Sequence, residues 1–134
     1  MRKLIAGLAV VALGVGVLAP TAGAQTVNKF TVKTAKTRGH RIENGFAVHG
    51  LLVVPGDNDN VLGTFKASFT GPRGQHVRAV FFFSDGKIKA NGNQDHHKIP
   101  IVGGTSRWNG ASGKVKITEI PHSGAVLLTF TVVQ

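Results

Sequence analysis

Alternation of apolar and polar residues predicts extended strands along most of this chain. In the stretch Val61–Thr70, Phe65 and Phe69 fall on one face of an extended backbone, whereas Lys66 and Ser68 fall on the other. No window carries a helical period, and the 18 glycines are too frequent for long helices. The pattern therefore predicts an all-β protein.

Runs of strong β-formers are separated by turn-forming residues throughout residues 25–134. Asp85-Gly86 is the clearest hairpin signal, because both residue types tolerate a positive φ. Eight strands are predicted: Val27–Ala35, Phe46–Val54, Val61–Thr70, His76–Ser84, Lys87–Asn91, Lys98–Val102, Lys114–Ile120 and Ala125–Val133.

Two of these strands, Phe46–Val54 and Ala125–Val133, are apolar on both faces. An antiparallel strand of this kind needs a cover outside its own sheet. A β-sandwich or a short covering loop would supply the cover, and so would neighbouring copies of the chain in an oligomer.

The first 24 residues have the pattern of a secretory signal peptide. Arg2 and Lys3 precede the apolar run Leu4–Ala19, and Ala22-Gly23-Ala24 provides small residues for cleavage after Ala24. A membrane anchor is the alternative, but the run is shorter than the roughly 20 residues of a spanning helix. The expected product is a secreted, extracellular protein with one domain, residues 25–134.

The whole chain has a formal net charge of +10, and removal of residues 1–24 leaves 14 basic against 6 acidic residues. Lys87 with Lys89, and Lys114 with Lys116, alternate along strands and should project outward in stripes. Anionic envelope or extracellular polymers are the expected partners of such stripes. Nucleic acid is not an expected partner, since aromatic side chains that could stack on bases are missing beside these lysines. Solubility and protection of strand edges would explain the same lysines.

The segment Ile99–Gly113 reads IPIVGGTSRWNGASG and resembles the hallmark of the dirigent and allene oxide cyclase superfamily. Further similarity lies in Asn60–Phe65, Phe81–Ile88 and Leu127–Phe130. The resemblance implies a small antiparallel eight-stranded calycin-like β-barrel that assembles as a trimer. The motif residues with an expected structural role in the turn are Gly103, Gly104, Thr105, Trp108, Gly110 and Gly113.

The chemistry of that superfamily is not matched. Its members use a carboxylate near the start of the barrel, whereas Val27–Arg41 holds five basic residues and no carboxylate; Glu43 is the first acidic residue after the signal peptide. Catalytic residues therefore stay unassigned, and whether the chain is an enzyme of the cyclase or isomerase type stays open.

Candidate ligand-binding residues are two polar side chains that interrupt apolar strands, together with aromatic walls. His49 could shuttle a proton and Arg78 could hold an anionic oxygen, if both face a lumen. Phe65, Phe69 and Phe82 would line a small apolar pocket. The alternative is that His49 and Arg78 face solvent or a subunit contact and that the phenylalanines are core, since the register is not fixed by the sequence.

No metal site and no cofactor are predicted. The turn Asp57-Asn58-Asp59-Asn60 lacks the later ligands of a calcium loop. Asp95-His96-His97 places neighbouring side chains on opposite faces of a strand, and the chain has no Cys.

Two function classes follow. The first is a barrel that binds a small hydrophobic molecule and templates its cyclisation or coupling by holding one conformation. The second is a non-catalytic basic module that binds anionic polymers. An eight-stranded barrel can either be filled by side chains or hold one small ligand. An open cleft that contains His49 or Arg78 would favour the first class, and a lumen filled by Phe and Leu side chains would favour the second.

Overall fold

The computed structural model describes residues 25–94 and 96–134, and in these residues the chain forms a closed antiparallel barrel. The predicted signal peptide and its cleavage site lie outside the described residues. No helix in the described part has the length and apolar character needed to cross a membrane.

The barrel consists of eight strands in sequence order, and the first strand also pairs with the last. The predicted all-β, eight-stranded antiparallel barrel is confirmed. A short 3₁₀ helix, Ser106–Trp108, lies between the sixth and seventh strands. The strands are β1 Val27–Ile42, β2 Gly45–Val54, β3 Asp57–Thr70, β4 His76–Phe83, β5 Gly86–Asn93, β6 Lys98–Gly104, β7 Ser112–Glu119 and β8 Val126–Val133.

Strand β1 is longer than the sequence pattern predicts, and it closes the barrel. Its first half, Val27–Lys33, pairs with β8, and its second half, from Lys33 to Ile42, pairs with β2. A bulge between Ala35 and Arg38 joins the two halves. Lys36 lies in this bulge with a φ of 51°. The bulge lets the strand bend from one neighbour to the other, so the basic stretch after Ala35 belongs to a strand and not to a connection.

Alternate residues of each strand point into the barrel and form one core. In β4, Val77, Ala79 and Phe81 are buried inside, whereas Arg78 between them is exposed. The buried core residues of the barrel are Val32, Leu52, Phe65, Val77, Ala79, Phe81, Ile88, Ala90, Ile99, Ile101, Trp108, Ala111, Val115, Leu128, Phe130 and Val132.

One apolar residue of the outer face is also fully buried. Val53 pairs with Lys33 and Val61 and is 0% exposed, yet it does not belong to the barrel core. The start of β3 bulges beside it, because Asp57 pairs with Val54 while Val61 already pairs with Val53. The bulged start of β3 thus lies beside the buried Val53 on the outer face of β2.

Gly104 of the glycine-rich motif is needed for a close approach of backbones. A Cβ atom built on Gly104 would lie 2.5 Å from the carbonyl oxygen of Lys87, and it would also overlap the carbonyl oxygen of Trp108. The Thr105 N–H donates to the Lys87 oxygen over 3.0 Å, which ties the motif to β5. A side chain at this position would therefore crowd two backbone carbonyl groups, whereas the role of the motif residues in the turn stays a prediction.

Gly104→Ala is therefore expected to lower the free energy of unfolding by about 1–3 kcal/mol through overpacking. Gly39→Ala is the matched control, since Gly39 has no positive φ and a Cβ there meets chiefly the half-exposed Phe46 ring, which can move. Urea denaturation of both variants measures the difference. Equal stability of the two variants would contradict the close-approach role.

Candidate functional site

The lumen of the barrel is filled by aromatic side chains. The Phe130 ring stacks on Phe30 with centroids 4.8 Å apart, and it meets Phe81 edge-on at 4.9 Å and Phe83 at 5.8 Å. Among the described residues, Thr34 is the buried polar side chain, and its hydroxyl accepts a hydrogen bond from the Val126 N–H over 3.0 Å. The interior thus holds no buried charged group in the part that the structure describes.

Trp108 of the 3₁₀ helix covers one end of this core. Its indole is 3% exposed, lies 5.6 Å from the Phe30 ring, and donates from Nε1 to Asp85 Oδ1 over 3.3 Å. Arg107 Nη1 pairs with Asp85 Oδ2 at 2.7 Å, and the Arg107 guanidinium lies 4.5 Å from the Trp108 ring centroid. Gln134 adds hydrogen bonds from Nε2 to the carbonyl oxygens of Arg107 and Asn109. This end of the barrel is therefore closed by a hydrogen-bonded plug.

Asp85→Ala is expected to lower the free energy of unfolding by about 1–2 kcal/mol. The substitution leaves the indole N–H without its acceptor and removes the partner of Arg107. Glu119→Ala is the control, because this exposed carboxylate at the end of β7 should change stability by less than about 0.5 kcal/mol. Urea unfolding measures both, and equal losses would contradict the plug.

The five predicted ligand-binding residues do not meet in one pocket. Phe65 is buried in the core, and Phe69 is partly buried against it. His49 and Arg78 are exposed on the outer wall. Phe82 also lies on the outer wall, where Lys87 Nζ approaches its ring centroid at 5.9 Å. A role of these residues in ligand binding stays a prediction, but the register does not bring His49 or Arg78 into the lumen.

On the outer wall, these polar residues belong to a line of basic side chains that crosses adjacent strands. Arg38 of β1 is paired with His49, His49 with Lys66, Lys66 with Val80, and Val80 with Lys89 of β5. We call Arg38, His49, Lys66 and Lys89 the basic row. Neighbouring strands are about 4.8 Å apart, so the row extends about 19 Å around the barrel.

Arg78 extends the basic row into a patch. It lies two residues from Val80 on β4, which makes it the diagonal neighbour of both Lys66 and Lys89. Diagonal partners of this kind have Cα atoms about 7–8 Å apart, within reach of long side chains. Strand β4 contributes the uncharged Val80 to the row, but it carries Arg78 beside the row.

The acidic residues that the structure describes are confined to turns and strand ends. Glu43 and Asp85 lie in turns, Asp57 and Asp59 begin β3, and Glu119 ends β7. The middle of every described strand therefore carries either no charge or positive charge. The Arg107–Asp85 ion pair lies at the end of the barrel that Trp108 covers, and not in a strand middle.

A second group of lysines lies on the other side of the barrel. Lys98 of β6 and Lys116 of β7 are directly opposite each other, and both are exposed. Like charges in this arrangement repel and lower stability. Lys114 and Lys29 follow on the same outer surface, both opposite Thr131 of β8. The wall is thus basic on two sides.

Two open clefts lie outside the lumen at the loop between β7 and β8. One, of about 330 Å³, is formed by residues 119–126 themselves. The other, of about 560 Å³, lies between that loop and the bulged start of β3, with Lys33 and Lys36 of β1 in its lining. No group of three His, Cys, Asp or Glu side chains suited to a metal ion occurs within residues 25–94 and 96–134.

Comparison with known proteins supports the fold and does not name a family. No family model matches the chain, and no curated protein matches it in sequence. Among solved structures, pyocyanin demethylase superposes with a TM-score of 0.51 over 77% of this chain and 98% of that protein, at 15% sequence identity. At this identity the likeness shows the barrel fold alone. Membership of the dirigent and allene oxide cyclase superfamily is not confirmed.

Sequence reasoning found the lysine stripes but missed the basic row. The row joins residues that are far apart in the chain and become neighbours only through strand pairing. Sequence reasoning also missed the hydrogen bond between Trp108 and Asp85, although these residues lie in two segments, Ile99–Gly113 and Phe81–Ile88, that carry the family resemblance. The signal that could have found this contact is the predicted Asp85-Gly86 hairpin, because it places the Asp85 carboxylate in the turn between β4 and β5.

Proposed function

We propose that this protein is a non-catalytic binding module that attaches to anionic polymers through the basic row and Arg78. The single observation that carries the proposal is the wall of the barrel within residues 25–94 and 96–134, where positive side chains occupy strand middles and the carboxylates lie in turns and at strand ends. A polymer with repeated negative charges would contact several of these cations at once. Each contact would release counterions, which favours binding at low salt.

The filled lumen supports this class over a lumenal ligand. A small hydrophobic molecule inside the barrel would have to displace rings that already stack at 4.8–4.9 Å, such as Phe130 on Phe30 and Phe81. Pyocyanin demethylase acts on a small molecule according to its name, but the likeness to this chain is one of fold. Because no charged group is buried among the described residues, the barrel interior offers no acid or base for a cyclase-like reaction.

The expected export of the chain suggests where the polymer would be found. With a signal peptide at residues 1–24, the partners would be anionic components of the cell envelope or extracellular material. Sulfate, phosphate and carboxylate groups would all suit lysine and arginine side chains.

Binding of the full mature chain to dextran sulfate, with neutral dextran of equal length as control, tests the proposal. At about 50 mM salt we expect binding to the sulfated polymer alone, and at about 500 mM salt we expect it to be lost. Biolayer interferometry measures both. Equal binding to the two polymers, or none to dextran sulfate at low salt, would overturn the proposal.

Assembly as a trimer stays a prediction of the resemblance. Three barrels would repeat the basic row in one particle and raise the avidity for a polymer. Light scattering on the mature protein measures the mass. We expect three chains per particle, and the mass of a single chain would contradict the trimer without affecting the proposed charge-based binding.

A further inference from the structure

We propose that the 560 Å³ cleft on the outer face of β1 is a binding site for a small organic anion, a molecule with one negative group on an apolar body. This site is distinct from the basic row and from the lumen. Its volume lies within the usual 300–1,000 Å³ of small-molecule sites.

The cleft is built where β1 changes partners. The residues before Lys33 pair with β8, and the residues after it pair with β2 alone. At this point the Thr34 hydroxyl of β1 accepts a hydrogen bond from the Val126 N–H of β8 over 3.0 Å, which keeps the two strands connected. The β7–β8 loop and the bulged start of β3 line the cleft together with residues 33–36 of β1.

The lining of the cleft combines apolar side chains with two ammonium groups. Ala35, Leu51 and Val61 line it, and Val61 is 52% exposed on a wall that is otherwise polar. Lys33 donates from Nζ to Asn58 Oδ1 over 3.0 Å, which holds its ammonium group at the β3 side. Apolar surface beside two ammonium groups, one of them held by a hydrogen bond, suits a ligand that has an apolar body and an anionic end.

Lys36 is positioned for the cleft by the β1 bulge. Its φ of 51° is in the left-handed region, which costs a non-glycine residue about 1–2 kcal/mol. Bulges re-aim side chains, and here the re-aimed residue is part of the cleft lining. Asp59 also lines the cleft, so the lining combines two cations with one carboxylate. Removal of the Asp59 charge is therefore expected to strengthen the binding of an anion in the cleft.

Fluorescence titration with anilinonaphthalene sulfonate tests the site, with the uncharged probe phenylnaphthylamine as the comparison. We expect the sulfonate to bind about fivefold more tightly than the neutral probe. Lys36→Ala should weaken sulfonate binding about fivefold, Val61→Ser should weaken both probes, and Asp59→Asn should strengthen the sulfonate. Circular dichroism confirms that each variant is folded.

Lys114→Ala is the matched control, since it removes the same charge from an exposed strand position outside the cleft. It should change sulfonate affinity by less than about twofold. An equal loss in Lys114→Ala and Lys36→Ala, or no gain in Asp59→Asn, would overturn the proposal. Neither result would affect polymer binding by the basic row, which uses none of the cleft residues.

Discussion

Phe130→Ala is expected to lower the free energy of unfolding by about 3–5 kcal/mol. The Phe130 side chain is 0% exposed, and three other phenylalanine rings contact it inside the barrel. Its removal leaves a cavity that the closed sheet cannot collapse around, because the cross-strand ladders fix the wall. Typical domains have only about 5–15 kcal/mol of stability in total, so the variant should unfold at much lower urea.

Trp108 reports this unfolding, since it is the one tryptophan of the chain and it is buried against the same cluster. Phe46→Ala is the matched control. Phe46 is 47% exposed near the β1–β2 turn, so we expect its substitution by Ala to lower the free energy of unfolding by less than about 1.5 kcal/mol. If both variants lost the same stability, the packed lumen would not be the main source of stability.

Reversing the charge of Arg38, Lys66 and Lys89 to glutamate together is expected to weaken dextran sulfate binding about 100-fold at low salt. The three residues lie in one row on three strands, so the variant places three carboxylates where the polymer would run. The dependence of affinity on salt should become shallower, because fewer counterions are released.

The control for this variant reverses Lys29, Lys98 and Lys114, which changes the net charge by the same amount on the other side of the barrel. We expect the control to keep most of its affinity, within about tenfold of the natural chain. Equal loss in both variants would mean that net charge alone attracts the polymer, and that the basic row is not the contact surface.

The outcome for His49 and Arg78 shows where sequence reasoning stops. Both interrupt apolar strands, and the sequence left open whether they face a lumen or solvent. In β4, Arg78 lies between buried Val77 and Ala79, so the pleat turns it outward. A shift of one residue in the pairing would have exchanged the two faces, and the alternation of one strand does not contain that information.

The length of β1 has a similar cause. Residues after Ala35 are basic and polar, and in the sequence they have the composition of a connection. In the barrel, β2 provides a hydrogen-bonding partner as far as Ile42, and the bulge at Lys36 takes up the change of direction. Backbone hydrogen bonds to a neighbouring strand outweigh a weak local preference.

The sequence by itself determined the number and type of elements, because a period of two and frequent turn residues allow extended strands and little else. It did not determine which glycine is closely approached, since Gly104 meets two backbone carbonyl oxygens and Gly110 of the same motif meets open space. The tertiary structure decided which face of each strand is inside, how β1 meets β8, and which cations become neighbours. These features depend on pairing between residues as distant as Val27 and Val133, whose register is fixed only when all the strands close into one ring.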